Sequence, residues 1–260
     1  MRVLFIGDIV GEPGRKAVKE LVPKIMKREK VDFVVANGEN AAGGSGITPM
    51  LVDELLGYGV DVITTGDHVW KRKEILERIA QDARILRPAN YPRETPGFGS
   101  TVVASKSGVD VGVINIQGRV FMQAIEDPFR VVKAELDRIK NKARVIIVDV
   151  HAEATSEKMA LGWFLDGMVS AIIGTHTHVQ TADEKILPKG TAFLTDAGMT
   201  GPFDSVIGRN KEQILNRFMT QMPTKFEMAE GDIQLHGAVI DIDEKTGKAN
   251  SIKRIQEKLT

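Results

Sequence analysis

Six stretches of this chain are apolar, or nearly so, without the alternation of a half-wet strand: residues 3–6, 33–36, 60–64, 145–150, 169–174 and 191–195. Asp149 is the only polar residue in the fourth and Ser170 in the fifth. A run apolar throughout needs both faces covered, as in a parallel sheet buried between other layers. Helical periodicity fills the gaps between several of them. Pro13 opens a helix-like stretch to residue 27, with Pro23 expected to kink or divide it. Thr48-Pro49 reads as an N-cap followed by proline at the first helical position, and Gly59 suits the C-terminal end. Further helices are expected over 71–80, 127–140, 157–165 and 210–221. Residues 101–105 and 109–116 read as a hairpin about Ser107-Gly108. Residues 233–242 and 249–256 alternate and read as an antiparallel hairpin on a sheet edge. The whole, residues 1–260, is expected to form one α/β domain of two stacked, mostly buried sheets with helices outside.

The polar residues just beyond these runs bear on function. Asp8, Glu39-Asn40, Asp67-His68, His151 and the pair in Gly174-Thr175-His176-Thr177-His178 each come just past an apolar run. Four of the five histidines lie at such ends, and only His236 does not. Open α/β sheets bind ligands beyond the carboxyl ends of their strands. If these strands are neighbours pointing one way, three carboxylates, an amide and four imidazoles converge. That is too many ligands for one ion and suits two. Nitrogen and oxygen donors without sulfur favour iron, manganese, zinc or cobalt over magnesium or calcium. Two such ions clamp a phosphate ester and acidify a shared water.

Composition narrows the choice. With 35 Lys+Arg against 35 Asp+Glu, the formal charge is zero, which argues against a bulk electrostatic binder of nucleic acid or membrane. No cysteine is present, which excludes disulfides, zinc–thiolate sites and cysteine nucleophiles. Gly7-Asp8 stops the first apolar run too early for a signal peptide, and no window reaches the length of a membrane span. A cytoplasmic protein with no membrane partner is expected.

The ordered set Asp8 … Gly38-Glu39-Asn40 … Gly66-Asp67-His68 … His151 … Gly174-Thr175-His176-Thr177-His178 resembles the calcineurin-like metallophosphoesterases, and within them the YmdB-like branch. The superfamily's Asp-x-His is here Asp8-Ile9-Val10, and its second-motif aspartate is Glu39; both departures belong to that branch. The segments from Asp149 to Thr155 and from Asp196 to Pro202 are similar to it as well. The resemblance spans essentially the whole chain. It implies a four-layer αββα sandwich with mixed sheets and a site for two divalent or trivalent transition-metal ions, iron foremost, with manganese or zinc as alternatives. It implies hydrolysis of 2′,3′-cyclic nucleotides to nucleoside monophosphates by metal-activated hydroxide. By position the first metal takes Asp8, Glu39, Asn40 and His178. The second takes Glu39, Asp67, His151 and His176, and His68 is the proton donor. One departure stands out: the family's usual Gly-Asn-His reads Gly66-Asp67-His68. The motifs leave open a phosphomonoesterase, a 3′,5′-cyclic nucleotide phosphodiesterase, or a regulator that holds a nucleotide or RNA end without turning it over. A small-molecule nucleotide is the expected partner, with RNA ends and a second copy of the chain as further candidates.

Other polar residues carry plainer readings. Asp149 inside its run reads as a hydrogen-bonded structural carboxylate, Glu153 as a group that orients a ligand, and His236 as structural or exposed. Asn37 and Thr177 read as pocket lining. Gly43-Gly44-Ser45-Gly46 lacks the Lys-Ser/Thr of a phosphate loop and reads as a mobile loop. Tyr91 and Arg119-Val120-Phe121 read as packing or surface.

Overall fold

The computed structural model describes all 260 residues. In chain order the elements begin β1 (Arg2–Ile6), β2 (Asp8–Ile9), α1 (Gly11–Glu29), β3 (Phe33–Asn37), α2 (Pro49–Gly57), β4 (Val62–Thr64), α3 (Ile75–Gln81) and β5 (Ile85–Leu86). They continue with β6 (Ser100–Ala104), β7 (Asp110–Gln117), α4 (Pro128–Ile139), β8 (Val145–His151), α5 (Thr155–Leu165) and β9 (Ala171–Thr175). The last are β10 (Lys185–Ile186), β11 (Ala192–Leu194), β12 (Met199–Pro202), α6 (Lys211–Thr220), β13 (Ile233–Ile242) and β14 (Ala249–Lys258).

Two mixed sheets result. The first runs β2-β12-β13-β1-β3-β4-β5, with β14 on the free side of β13. Its β1, β3, β4 and β5 are parallel. The second runs β10-β11-β9-β8-β7-β6, parallel through its four central strands and antiparallel at both edges. Period-2 alternation sorts the side chains into layers. Val3, Phe5, Phe33 and Val35 meet Val111, Val113, Val145 and Ile147 between the sheets. Leu4, Ile6, Val34 and Ala36 turn the other way, against Val18, Leu21 and Val22 of α1 and Leu51 and Leu55 of α2. On the far side Ile146, Val148 and Ile172 pack on Leu136 of α4 and Leu161 of α5. The fold is therefore the expected four-layer αββα sandwich, and burial on both faces explains the unbroken apolar runs.

Three local expectations are corrected. Helix α1 continues through Pro23. Pro23 and Lys19, whose carbonyl loses its partner, are both exposed, so water compensates there. Helix α3 starts at Ile75 rather than at residue 71, because residues 65–74 are drawn into turns beside the strand ends. The C-terminal hairpin is not wholly at an edge. Strand β13 lies inside the first sheet, antiparallel to β1, and only β14 has a free side.

Candidate metal centre

The carboxyl ends of the two sheets meet. The first sheet delivers Asp8 after β1, Glu39 and Asn40 after β3, and Asp67 and His68 after β4. The second delivers His151 at the end of β8 and His176 and His178 just past β9. The backbone must come close here. A Cβ on Gly66 would lie 2.2 Å from His151 Nε2 and 2.4 Å from Glu39 Oε2, so only glycine fits between them.

Glu39, Asp67, His151 and His176 each offer a ligand atom, all within 4.8 Å of one another. Asp67 Oδ1 stands 3.2 Å from His151 Nε2 and 3.5 Å from His176 Nδ1. Glu39 Oε2 is 3.3 Å from His151 Nε2. Asp8, Asn40 and His178 gather on the other side of Glu39. The Asn40 amide nitrogen is 3.0 Å from Glu39 Oε1 and 3.1 Å from His178 Nε2, and Asp8 Oδ1 is 4.0 Å from His178 Nε2. All seven residues expected as ligands thus lie in one cluster. His68 is at its rim, its Nδ1 donating to Asn40 Oδ1 at 2.7 Å and its Nε2 3.7 Å from Asp67 Oδ2.

The surrounding contacts orient the imidazoles. Thr175 gives its hydroxyl proton to Asp149 at 2.7 Å, so its oxygen accepts from His151 Nδ1 at 3.0 Å. His178 Nδ1 donates to the Ile207 carbonyl at 3.0 Å, and His176 Nε2 faces Glu153 at 3.3 Å. Each ring therefore has its outer nitrogen engaged by a support and its inner nitrogen facing the carboxylates, the orientation metal-binding histidines require. Asp149 is the structural carboxylate expected, taking Thr64, Thr175 and Asn37 as donors, and burial pushes its carboxyl up to about 6. His176 and His178 sit at φ of 101° and 66°, left-handed and strained for non-glycine residues. Asp8 holds the His176 amide at 3.1 Å, and Asp196, paired with buried Lys158 at 2.7 Å, holds Thr177.

Electrostatics identifies what this cluster accommodates. Asp8 Oδ1 is fully buried and has no hydrogen-bond partner. Such an oxygen is costly unless a proton or a cation neutralises it. Burial accordingly raises the Asp8 pKa. Burial also works against charge on His151, but the carboxylates of Glu39 and Asp67 outweigh it and hold the imidazole well above its ordinary value. Three carboxylates, three imidazole nitrogens turned toward them and one orphaned buried oxygen fit metal ions.

Several supports were not legible as such. The Ile207 carbonyl and the Thr175 hydroxyl carry no motif, although Asp149, alone in an apolar run, was a signal for the latter. The glycine loop is pinned rather than free: Arg15 donates to Ala41 O, Arg72 to Ala42 O, and Arg209 to Gly43 O and Gly44 O. Tyr91 is buried, Phe121 is exposed, and His236 is buried against Phe203.

Comparison with known proteins agrees with the geometry. A family model described as YmdB-like protein matches residues 4–255. The 2′,3′-cyclic-nucleotide 2′-phosphodiesterase of Bacillus subtilis is 51% identical over 255 residues, 98% of this chain and 96% of that one. A hypothetical protein from Thermus thermophilus superposes with a TM-score of 0.93 at 42% identity, covering all of both chains. A crystal structure described as a novel phosphatase from Mycoplasma pneumoniae gives 0.93 at 34% identity, over 99% of this chain and 93% of that one.

Proposed function

The chain belongs to the YmdB-like family of metallophosphoesterases, and from that membership we propose that it is a two-metal phosphodiesterase, residues 1–260 acting as one domain, that opens 2′,3′-cyclic nucleotides. The name of the Bacillus subtilis relative points to cleavage of the 2′ ester, which leaves a 3′-monophosphate. Asp8, Glu39, Asn40 and His178 hold one ion, and Glu39, Asp67, His151 and His176 the other. Glu39 has an oxygen toward each group: Oε1 beside Asn40 and Oε2 beside His151. Ligation by Asn40 requires its amide to turn over, so that Oδ1 replaces Nδ2 beside His178. The observation that carries the reading is the set of three imidazole nitrogens turned toward buried carboxylates, one of whose oxygens has no partner. Iron is the proposed metal, manganese the alternative that the same donors accept.

When bound, the ions neutralise the phosphoryl oxygens and acidify a water. Water attacks phosphorus opposite the ribose oxygen, the bond from phosphorus to that oxygen breaks, and His68 delivers a proton to it from Nε2. His68 Nδ1 lies against the Asn40 amide, whichever end of that amide faces it, which leaves Nε2 as the mobile site. The test is metal analysis of anaerobically purified protein together with turnover of 2′,3′-cyclic, 3′,5′-cyclic and monoester substrates. Two ions per chain and preference for the 2′,3′-cyclic ester support the reading. Preference for a monoester or a 3′,5′-cyclic ester refutes the substrate, and metal-free activity refutes the mechanism.

A further inference from the structure

The guanidinium of Arg209 has no carboxylate partner. It donates from Nη1 to Gly43 O at 3.2 Å and from Nη2 to Gly44 O at 2.7 Å, and rests on Met228 Sδ at 3.5 Å. The fit excludes a side chain at Gly44: a Cβ there would lie 2.8 Å from Arg209 Cζ and 2.7 Å from Met228 Sδ. Gly44 returns its own amide to Asn40 O at 3.0 Å, which ties the loop back to the residue that begins it. At its other end Arg209 closes a tight turn, exchanging backbone hydrogen bonds of 2.9 and 3.0 Å with Val206. The two residues between, Ile207 and Gly208, have φ of 48° and 94°. Left-handed backbone is a poor place for a β-branched residue and persists only where its surroundings impose it. Ile207 offers the carbonyl that receives His178 Nδ1.

These contacts form a ring. From His178 it passes through Ile207 and the turn to Arg209, then through Gly43 and Gly44 to Asn40, whose amide is 3.1 Å from His178 Nε2. We propose that Arg209 is a positioning residue that closes this ring and sets the separation of Asn40 from His178, and so holds the first of the two ions and not the second. The inference rests on the two-metal reading above. Asp67, His151 and His176 stand outside the ring, with Thr175 and Glu153 as their own supports. Burial lowers the Arg209 pKa, with no carboxylate to offset it.

Arg209→Met keeps the length and removes every donor; Arg209→Lys keeps the charge and one donor group. Full-length protein and both variants are loaded with metal under anaerobic conditions and exposed to a chelator, and metal per chain is followed in time beside thermal melting. Wild type retains two ions. Arg209→Met is expected to release one ion at least about tenfold faster while the other leaves at the wild-type rate, the scale of a lost outer support. Arg209→Lys falls between, and it carries the same test if Arg209→Met does not fold. Combining Arg209→Met with His178→Ala is expected to release no more than His178→Ala alone. Two ions leaving at unchanged rates, or both accelerating equally, overturns the proposal. Wild type that holds fewer than two ions refutes the two-metal reading itself.

Discussion

Asp67→Asn exchanges one oxygen for an NH2 group at nearly constant shape and removes a full negative charge. Asp67 Oδ1 lies 3.2 Å from His151 Nε2 and 3.5 Å from His176 Nδ1. At that separation a unit charge interacts with another by about 1 kcal/mol in water and about 5 kcal/mol at an effective dielectric of 20. The side chain is 29% exposed, so the wet end applies, and ~2 kcal/mol is a fair figure. A cation among these donors is then held roughly 30-fold less tightly in the variant, since about 1.4 kcal/mol is tenfold. The first ion, next to Asp8, Asn40 and His178, keeps its affinity. The carboxylate also opposes ionisation of any neighbour that becomes an anion. Its loss moves the acid limb of the kcat/KM profile to lower pH by about one unit, at 1.36 kcal/mol per unit. The fold is unaffected, and excess metal restores turnover. Competition with a chelator and pH–rate profiles of both forms are the assays. Equal metal affinity together with an unshifted profile would show that Asp67 does not face a cation.

His68→Ala is expected to keep both ions and lose roughly 10²–10⁴ in kcat, with partial recovery on a nitrophenolate ester that needs no proton; loss of an ion instead makes His68 a ligand. Lys158→Met strands the buried Asp196 carboxylate that holds Thr177, and urea unfolding should register a loss of about 3–5 kcal/mol. His236 is buried, and burial first, then Arg254, lowers its pKa to about 4, against an unfolded value near 6.5. The unfolded chain therefore takes up this proton first. His236 supports the fold above pH 6.5 and loses up to ~3 kcal/mol of stability as pH falls to 4. His236→Phe should flatten that decline between pH 6.5 and 4.5 in unfolding curves, and an unchanged slope refutes the assignment.

The parallel strands were legible because burial on both faces writes itself as an unbroken apolar run, as in β1, β3 and β8. The clustering of the candidate ligands was legible because each closes such a run. Strands β2, β10 and β12 were not. They are two to four residues long, too short for a period, and Gly201 and Pro202 vote against β12. What makes β12 a strand is the presence of β2 and the start of β13 beside it. The same limit hid the hairpin's position: alternation marks β13 as a strand, but nothing in its own residues says that β1 and β14 flank it. The supports around the site were hidden for another reason. A backbone carbonyl such as that of Ile207 has no residue identity, and Lys158 and Asp196, 38 positions apart, announce no pairing.

The division of donors between the sheets bears on how the site and the fold depend on each other. Every carboxylate proposed as a ligand, with Asn40, comes from the first sheet, and all three proposed imidazole ligands come from the second. Neither sheet alone can neutralise its share. The carboxylates lack counter-charge and the imidazoles lack a cation. The groups meet only when the core between the sheets, from Val3 and Phe5 across to Val113 and Ile147, is packed. Across that join Glu39 Oε2 and Asp67 Oδ1 stand 3.3 and 3.2 Å from His151 Nε2. A cation bound there would be held by groups from both sheets at once. Metal binding at the strand ends would therefore favour packing of the inter-sheet core, and that packing would in turn favour metal binding.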